Sequence, residues 1–237
     1  MLASSRNAVK EAAAKGARIR GVHLSFPAPQ IIEVLGPTGL DFVYFDGEHG
    51  AFDLHDLAEG CRTAELLGLT PIARLPNTAV DTITQYLDRG VRGLILPHIE
   101  TVAQAQAIVE AAYYAPLGSR SYGAGRPEFG IGEKFPTPDY WAMCNGRTSV
   151  SLMIESVAGL EAAAELAAVE GVDYLSFGLF DLSQALGFPG QPSHPEVQRR
   201  VAEASAKIRA AGKPIREDFI EFAWINDILK AGSAALL

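Results

Sequence analysis

One short stretch of the chain carries three side chains that can bind cations or move protons. Residues 41–53 read DFVYFDGEHGAFD, so an apolar run ends in Asp46, Glu48 and His49 before a glycine. A simple turn needs only Gly, Asn or Asp. Two carboxylates and an imidazole add groups that ligate metal ions and act as general acids or bases. The stretch therefore suggests a polar site at the end of a buried strand.

Other ionisable or polar side chains also lie at the ends of apolar, β-rich runs. In chain order they are His23, Ser25, Arg74, His98, Glu100, Glu155 and Asp181. Taken singly, each is more simply interpreted as a solvated strand end or a turn cap, and His98 as a satisfied core histidine. A random sequence would seldom supply so many at successive strand ends. Their concentration predicts a polar pocket.

The runs that carry these residues alternate with helical segments. Strands are predicted over 19–26, 41–48, 70–76, 93–99, 149–156 and 172–178. Helices are predicted over 28–36, 53–68, 78–90, 101–113, 158–170 and 195–211, with an amphipathic helix near the N-terminus. The predicted N-caps are Asp53, Asn77, Thr101 and Ser156. Most of the strand runs are continuously apolar, which is typical of parallel strands covered on both faces.

This alternation predicts an α/β fold, a (β/α)8 TIM-type barrel that spans residues 1–237 as a single domain. A doubly wound open sheet is the alternative, but the loop from Ser25 after the first strand lacks the glycines of a phosphate loop. The C-terminal part is shortened. After Ile215 the chain reaches residues 222–227 almost at once, so a full seventh βα unit does not fit. In a barrel, the polar strand ends would meet at one face.

Composition limits the function classes. The chain has 237 residues, is 48% hydrophobic and 20% charged, and carries a formal net charge of -8, which argues against nucleic acid or an anionic membrane as partner. No apolar run approaches the ~20 residues of a membrane span. Cys61 and Cys144 lie far apart in the sequence, so they are expected to be reduced in a cytoplasmic protein.

The segment from Gly118 to Thr148 is too long for a plain connection. Segments of this length are often lids or interface arms. Arg120 and Tyr122 at its start could face the site, and a surface excursion that bears a helix is an equal alternative.

Several stretches together resemble the class II, metal-dependent 2-oxo acid aldolases, the family typified by 4-hydroxy-2-oxoheptanedioate aldolase. The matching pieces are DFVYFDGEHGAFD, PIARLP, LDRGVRGLILPHIETVAQAQAIVEAAYYAPLGSRSYG and MIESVAGLEAAAELAAVEGVDYLSFGLFDLSQALGFPGQPSHPEV. They come in the family's order and cover most of the chain. The combination of EHG, the strand end IES and GxxDLS followed by LGxPGxPxHPEV is specific, whereas any one of these motifs alone is weak.

The resemblance implies a carbon–carbon lyase that joins or cleaves a pyruvate-like 2-oxo acid and an aldehyde through a metal-stabilised enolate. Glu155 and Asp181 match the family's metal ligands, and an oxygen-rich site of this kind suits Mg2+, Mn2+ or Co2+. Arg74 matches the arginine that holds the substrate and stabilises the enolate. His49 matches the acid–base residue, oriented by Asp46 through an Asp–His pair.

Further residues are implied to support or line the site. Glu48 would turn toward the metal-bound waters, and Asp88 is expected to support the catalytic groups from behind. The substrate would contact Arg74, Asp181 and three positions that depart from the family pattern. At these positions Met153 replaces the usual Gln, and Leu179 and Phe180 replace the usual Pro-Ala. The pocket is therefore expected to be smaller or more apolar than in relatives.

These departures leave two other functions open. The same metal site could decarboxylate or condense an oxaloacetate-like diacid in a biosynthetic pathway, or the chain could be a non-catalytic homologue. The short C-terminal part also predicts that the apolar stretch 214–222 lacks its covering helix. The expected remedy is a homo-oligomer, a trimer or hexamer, in which residues 227–237 form an exchanged helix.

Overall fold

The structure, a computed structural model, describes residues 6–123 and 138–235 and is built around seven parallel strands. They are β1 (Ile19–Leu24), β2 (Phe42–Asp46), β3 (Thr70–Arg74), β4 (Gly93–Leu96), β5 (Ser149–Ile154), β6 (Tyr174–Phe177) and β7 (Ile220–Trp224). The sheet order is β6-β5-β4-β3-β2-β1-β7, so each of the first six strands lies beside its neighbour in sequence. All six predicted strands are confirmed, each ending one to three residues earlier than expected.

The helices cover the outside of this curled sheet or follow its strands. They are α1 (Ala8–Lys15), α2 (Pro29–Leu35), α3 (Leu54–Leu66), α4 (Val80–Asp88), α5 (Val102–Ala112), α6 (Pro138–Arg147), α7 (Val157–Glu161), α8 (Ala163–Ala167), α9 (Leu179–Ala185), α10 (Pro195–Ala210) and α11 (Ile225–Ala234). The predicted helix 158–170 is divided at Ala162, and α9 was not predicted. The strand–helix alternation of an α/β fold is therefore confirmed.

Helix starts follow the predicted caps with one exception. Asp53 and Thr101 form capping boxes, and the Ser156 hydroxyl accepts a hydrogen bond from Gly159. The prediction for Asn77 is wrong. Its side-chain oxygen accepts a hydrogen bond from the Ala79 amide at 2.9 Å, forming a turn, and α4 begins only after Ala79.

Strand periodicity divides the core into two layers. Side chains such as Val43, Phe45 and Leu152 point outward and pack among the helices. Those at alternate positions, including Tyr44, Ile72 and Met153, point to the concave side. Helix α1 packs Val9 and Ala12 into this inner layer, and the Asn7 side chain donates hydrogen bonds to the carbonyls of Arg92 and Arg147. The N-terminal helix therefore closes the end of the sheet opposite to the polar strand ends.

The sheet curls, but in the described residues it does not close. Its edge strands, β6 and β7, do not pair with each other. Between them the chain makes a single parallel bridge from Ile215 to Leu175 and one 3-10 turn over Arg216–Asp218. It then joins β1, where the Ile19 amide donates to the Phe219 carbonyl at 2.9 Å. The missing βα unit is confirmed, whereas the predicted closed eight-stranded barrel is not seen.

The apolar C-terminal stretch is better covered than the sequence predicted. Ile215, Phe219 and Ile220 are all buried within the same chain, because the short crossing places them against the inner layer. The exposed apolar side chains lie later, at Trp224 and at Leu229 on α11. Cys61 and Cys144 are both buried, in separate parts of the core.

The long segment from Gly118 to Thr148 is described only in part. Part of the predicted lid or interface arm, residues 124–137, lies outside the described residues, and its C-terminal part forms α6. Over the ranges that are described, no helix combines the length and apolar character needed to cross a bilayer.

Candidate active site at the carboxyl ends of the strands

The best-defined pair of the site joins the ends of β2 and β3. Asp46 and Arg74 are opposite each other in the parallel ladder. Arg74 Nε donates to Asp46 Oδ1 at 3.0 Å and Nη2 donates to Oδ2 at 2.6 Å, a bidentate contact. Burial alone would raise the pKa of Asp46, but the hydrogen bonds and charge of Arg74 outweigh it and lower that pKa. Asp46 is therefore an ionised carboxylate committed to Arg74.

Glu48 and His98 continue this polar chain across the site. Glu48 Oε2 lies 3.1 Å from Arg74 Nη1, without the alignment of a hydrogen bond. Glu48 Oε1 lies 3.2 Å from His98 Nε2, and His98 Nδ1 lies 3.2 Å from Glu155 Oε2. Glu48, His98 and Glu155 come from three different strand ends. The fold thus connects Arg74 to Glu155 through successive polar contacts.

Glu155 is the carboxylate best placed to hold a divalent cation. It is buried, and its carboxylate rests on Gly178, where an added Cβ would lie 2.0 Å from Glu155 Oε1. Burial raises the pKa of Glu155; hydrogen bonding from His98 opposes this, and the nearby charges of Glu48 and Asp181 add to it. The charges of Glu48 and Asp181 thus reach Glu155, and carboxylate oxygens are the ligands that hard cations bind. Asp181 lies in the first turn of α9, three residues after Gly178.

The expected pair between Asp46 and the His49 ring is not formed. Asp46 Oδ1 accepts a hydrogen bond from the backbone amide of His49 at 3.2 Å. Arg74 donates hydrogen bonds to both carboxylate oxygens of Asp46. In addition, the Gly50 amide donates a hydrogen bond to the Asp46 carbonyl, and the turn that this bond closes directs the His49 ring outward. The imidazole is 67% exposed and lies 3.9 Å from Glu48 Oε2. It stands at the mouth of the site.

The other predicted site residues differ in burial and in distance from the site. Met153 is buried in the inner layer on the same face of β5 as Glu155, and Leu179 packs partly against the outer core. Phe180 is 70% exposed beside Asp181. Asp88 lies at the end of α4, where its described ion-pair partner is Arg120, 3.0 Å away. Arg120 is therefore drawn to Asp88, and the structure does not bring Asp88 to Arg74 or His49.

Two histidines contact carboxylates of the site, although nothing in the sequence indicated these contacts. His98 contacts two carboxylates of the site. His23 is fully buried below it, with Nε2 3.7 Å from Asp46 Oδ2 and its ring 3.8 Å from the Trp224 ring, centroid to centroid. Both were noted only as polar strand ends. The signal that could have distinguished them, proximity to side chains on other strands, exists only in three dimensions.

A separate acidic group lies at the start of α3. The ligand atoms of Asp53, His55 and Asp56 lie within 4.8 Å of one another. Asp53 and Asp56 already cap the helix through their carboxylates, and the group is largely exposed. Its position in a capping box gives it a structural explanation that is independent of any metal.

The arrangement agrees with the similarity of the chain to known proteins. Residues 20–227 match the profile of the HpcH/HpaI aldolase/citrate lyase family. A 2-keto-3-deoxy-L-rhamnonate aldolase from Klebsiella pneumoniae is 32% identical over 207 residues, which are 87% of this chain and 77% of the relative. A hydroxypyruvate/pyruvate aldolase from Roseovarius nubinhibens is 33% identical over 207 residues, 87% of this chain and 80% of the relative.

A solved structure shares the fold at similar identity. The crystal structure of citrate synthase SbnG superposes with a TM-score of 0.84 and 32% identity, covering 98% of this chain and 96% of that one. The relatives named as aldolases and this structure extend over most of the chain, and the family profile spans all of the strand ends described above. The chain therefore belongs to the HpcH/HpaI aldolase/citrate lyase family.

Proposed function

We propose that this protein is a divalent-metal-dependent carbon–carbon lyase that acts on a pyruvate-like 2-oxo acid and an aldehyde. The observation that carries the proposal is the buried Glu155 seated on Gly178 beside Asp181, at the same strand ends as the Asp46–Arg74 pair. Relatives named as aldolases of 2-oxo acids support the reaction class. Glu155 and Asp181 would hold Mg2+, Mn2+ or Co2+. When bound, the cation supplies a Lewis acid for the 2-oxo group.

The residues of this chain would share the remaining work. Arg74 directs Nε and Nη2 to Asp46, and its Nη1 lies 3.1 Å from Glu48 Oε2 without forming a hydrogen bond. The N–H groups of Nη1 would hold a substrate oxygen and stabilise charge that develops there. The exposed His49 ring can take or return a proton at the mouth, next to Glu48. Met153, Leu179 and Phe180 would form an apolar boundary. Asp88, paired with Arg120, would act only by supporting the surrounding structure.

Proton exchange tests this function without knowledge of the natural aldehyde. The methyl protons of pyruvate, or the C3 protons of 2-oxobutyrate, should exchange with D2O in the presence of protein and Mn2+, followed by proton NMR. EDTA should stop the exchange, Arg74→Ala should remove most of it, and His49→Ala should lower it by up to ~10²–10⁴-fold. Calorimetric titration should show that Glu155→Ala and Asp181→Ala lose Mn2+ binding. No exchange above the free-Mn2+ background would contradict the proposal.

A second candidate is favoured by one comparison. The similarity to citrate synthase SbnG supports condensation or decarboxylation of an oxaloacetate-like diacid on the same site, and Phe180 beside Asp181 could select such a substrate. Protein-dependent consumption of oxaloacetate without pyruvate proton exchange would favour this function. Mn2+ binding without either reaction would leave a non-catalytic homologue as the better interpretation.

We also propose that the curled sheet is a reduced (β/α)8 barrel in a single domain. In this view residues 214–215 are the remnant of the seventh strand, the helix after it is absent, and β7 takes the position of the eighth strand. The bridge from Ile215 to Leu175 and the pairing of β7 with β1 support it. We place the protein in the cytoplasm as a homo-oligomer, a trimer or hexamer in which residues 227–237 form an exchanged helix; the exposed Trp224 and Leu229 support the association.

A further inference from the structure

His98 has a backbone conformation that its side chain disfavours. Its φ is 56°, and it is the one non-glycine residue of the described ranges with a positive φ. A non-glycine residue in this region is strained by roughly 1–2 kcal/mol, and such strain clusters at sites where function requires it. The contacts of His98 indicate what is gained.

In this conformation both the backbone and the ring of His98 reach one carboxylate oxygen. The His98 amide donates to Glu155 Oε2 at 2.8 Å, and the ring Nδ1 lies 3.2 Å from the same oxygen. The other ring nitrogen lies 3.2 Å from Glu48 Oε1. Glu155 Oε2 therefore accepts the hydrogen bond of the His98 amide and is flanked by the ring Nδ1, whereas Oε1 lies against Gly178, the residue that precedes α9.

We propose that His98 is a positioning residue that leaves Glu155 a single oxygen, Oε1, for a divalent cation. The proposal rests on the proposed metal-dependent function. Partners that hydrogen-bond a metal-ligating carboxylate orient it and tune affinity. One-oxygen coordination suits a small octahedral ion such as Mn2+ or Mg2+, whereas Ca2+ also accepts two-oxygen carboxylates in larger shells. The His98 ring should therefore contribute both affinity and selectivity for the smaller ion.

His98→Gly separates this role from a merely structural one. Glycine adopts a positive φ freely and keeps the backbone amide, so the fold and its Tm should be retained while the ring is lost. Calorimetric titrations of Mn2+ and of Ca2+ should show the Mn2+ Kd raised by about 10–100-fold, with a lower ratio of Mn2+ to Ca2+ affinity. His98→Asn, which tolerates this backbone region and restores one donor, should recover part of the affinity.

His55→Ala is the matched control, because it removes an imidazole from the exposed group at the start of α3. It should leave both affinities unchanged. If wild type binds Mn2+ and Glu155→Ala does not, but His98→Gly binds as wild type does, the role of His98 is overturned and the metal function stands. If the wild-type protein has no Mn2+ site that depends on Glu155, both proposals are overturned.

Discussion

Asp46 and Glu155 are both buried carboxylates, yet their surroundings move their pKa values in opposite directions. Arg74 outweighs burial at Asp46 and lowers its pKa, whereas burial and the charges of Glu48 and Asp181 raise the pKa of Glu155. Asp46 already has its compensating charge. Glu155 accepts a hydrogen bond from the His98 amide, but among the described residues no lysine or arginine pairs with it. This difference at the residue scale is why Glu155 is the better cation ligand.

The seat of Glu155 on Gly178 can be tested directly. In Gly178→Ala the new Cβ would overlap Oε1, so the carboxylate must turn away from its position. We expect at least a tenfold loss of Mn2+ affinity by calorimetry, with unfolding destabilised by roughly 1–3 kcal/mol. Gly146→Ala is the control, since an added Cβ there meets nothing within 4 Å. Equal Mn2+ affinity in both variants would contradict the assigned position.

The buried His23 predicts a dependence of stability on pH. Burial lowers its pKa from 6.5 to about 4, although Asp46 acts in the other direction. Between pH 6.5 and about pH 4, His23 is therefore protonated in the unfolded chain but neutral in the folded chain. Stability from this group is complete above pH 6.5 and is lost as the pH falls toward 4.

The variant His23→Phe removes this titration while keeping an aromatic ring between Tyr44 and Trp224. Urea unfolding should show that wild type loses about 2 kcal/mol more than the variant between pH 7 and pH 5. The two proteins should respond alike between pH 7 and pH 8. Parallel pH profiles over the acid range would contradict a neutral buried His23.

At the scale of single elements, short capping motifs place the helices that follow the strand ends. The Asp53 carboxylate accepts hydrogen bonds from the amides of His55 and Asp56 at 2.7 and 2.8 Å. These bonds satisfy amides that the first turn of α3 leaves without partners. Asp53, His55 and Asp56 also form the exposed group at the start of α3. Replacing Asp53 therefore distinguishes a capping role, which affects stability, from a metal-binding role, which affects Mn2+ affinity.

Asp53→Ala should lower the free energy of unfolding by about 1 kcal/mol, the usual cost of losing an N-cap. It should leave Mn2+ affinity unchanged, because the proposed site lies at Glu155 and Asp181. Thermal unfolding and Mn2+ titration measure the two effects on one sample. Loss of the Mn2+ signal in this variant would move the metal site to the start of α3.

At the scale of the whole molecule, exposed apolar side chains remain near the C-terminus. Only Ile225 of α11 is buried, while Trp224 and Leu229 are 44% and 50% exposed. The missing βα unit places these side chains beside the edge of the sheet, where apolar surface favours association. A second copy of the chain would bury them.

Sedimentation of the full chain should therefore show an oligomer, and Leu229→Glu should dissociate it or lower its mass. Cutting the chain after Asp227 should have the same effect. Leu66→Glu is the control, because Leu66 is 82% exposed at the far end of α3 and should not matter. A monomeric wild type, or an oligomer that survives the Leu229 change, would contradict the exchanged helix.

The sequence by itself determined the elements and the set of reactive residues. Continuous apolar runs predicted all six strands before the C-terminal part, and Asp53, Thr101 and Ser156 marked helix starts, because these signals depend on neighbours in the chain. The motifs around Asp46, Glu155 and Asp181 indicated the family. The missing βα unit was also visible as a shortage of residues between Ile215 and Phe222.

Only the tertiary structure decided which of these residues touch. Asp46 is bound by Arg74 and not by the His49 ring, because ladder register places the arginine opposite the carboxylate. Asp88 forms an ion pair with Arg120, and His98 lies between Glu48 and Glu155 and contacts both. Such pairings depend on strand register, on the inward or outward parity of each position and on one positive φ at His98. None of these is fixed by local sequence, since each results from how separate strands meet in space.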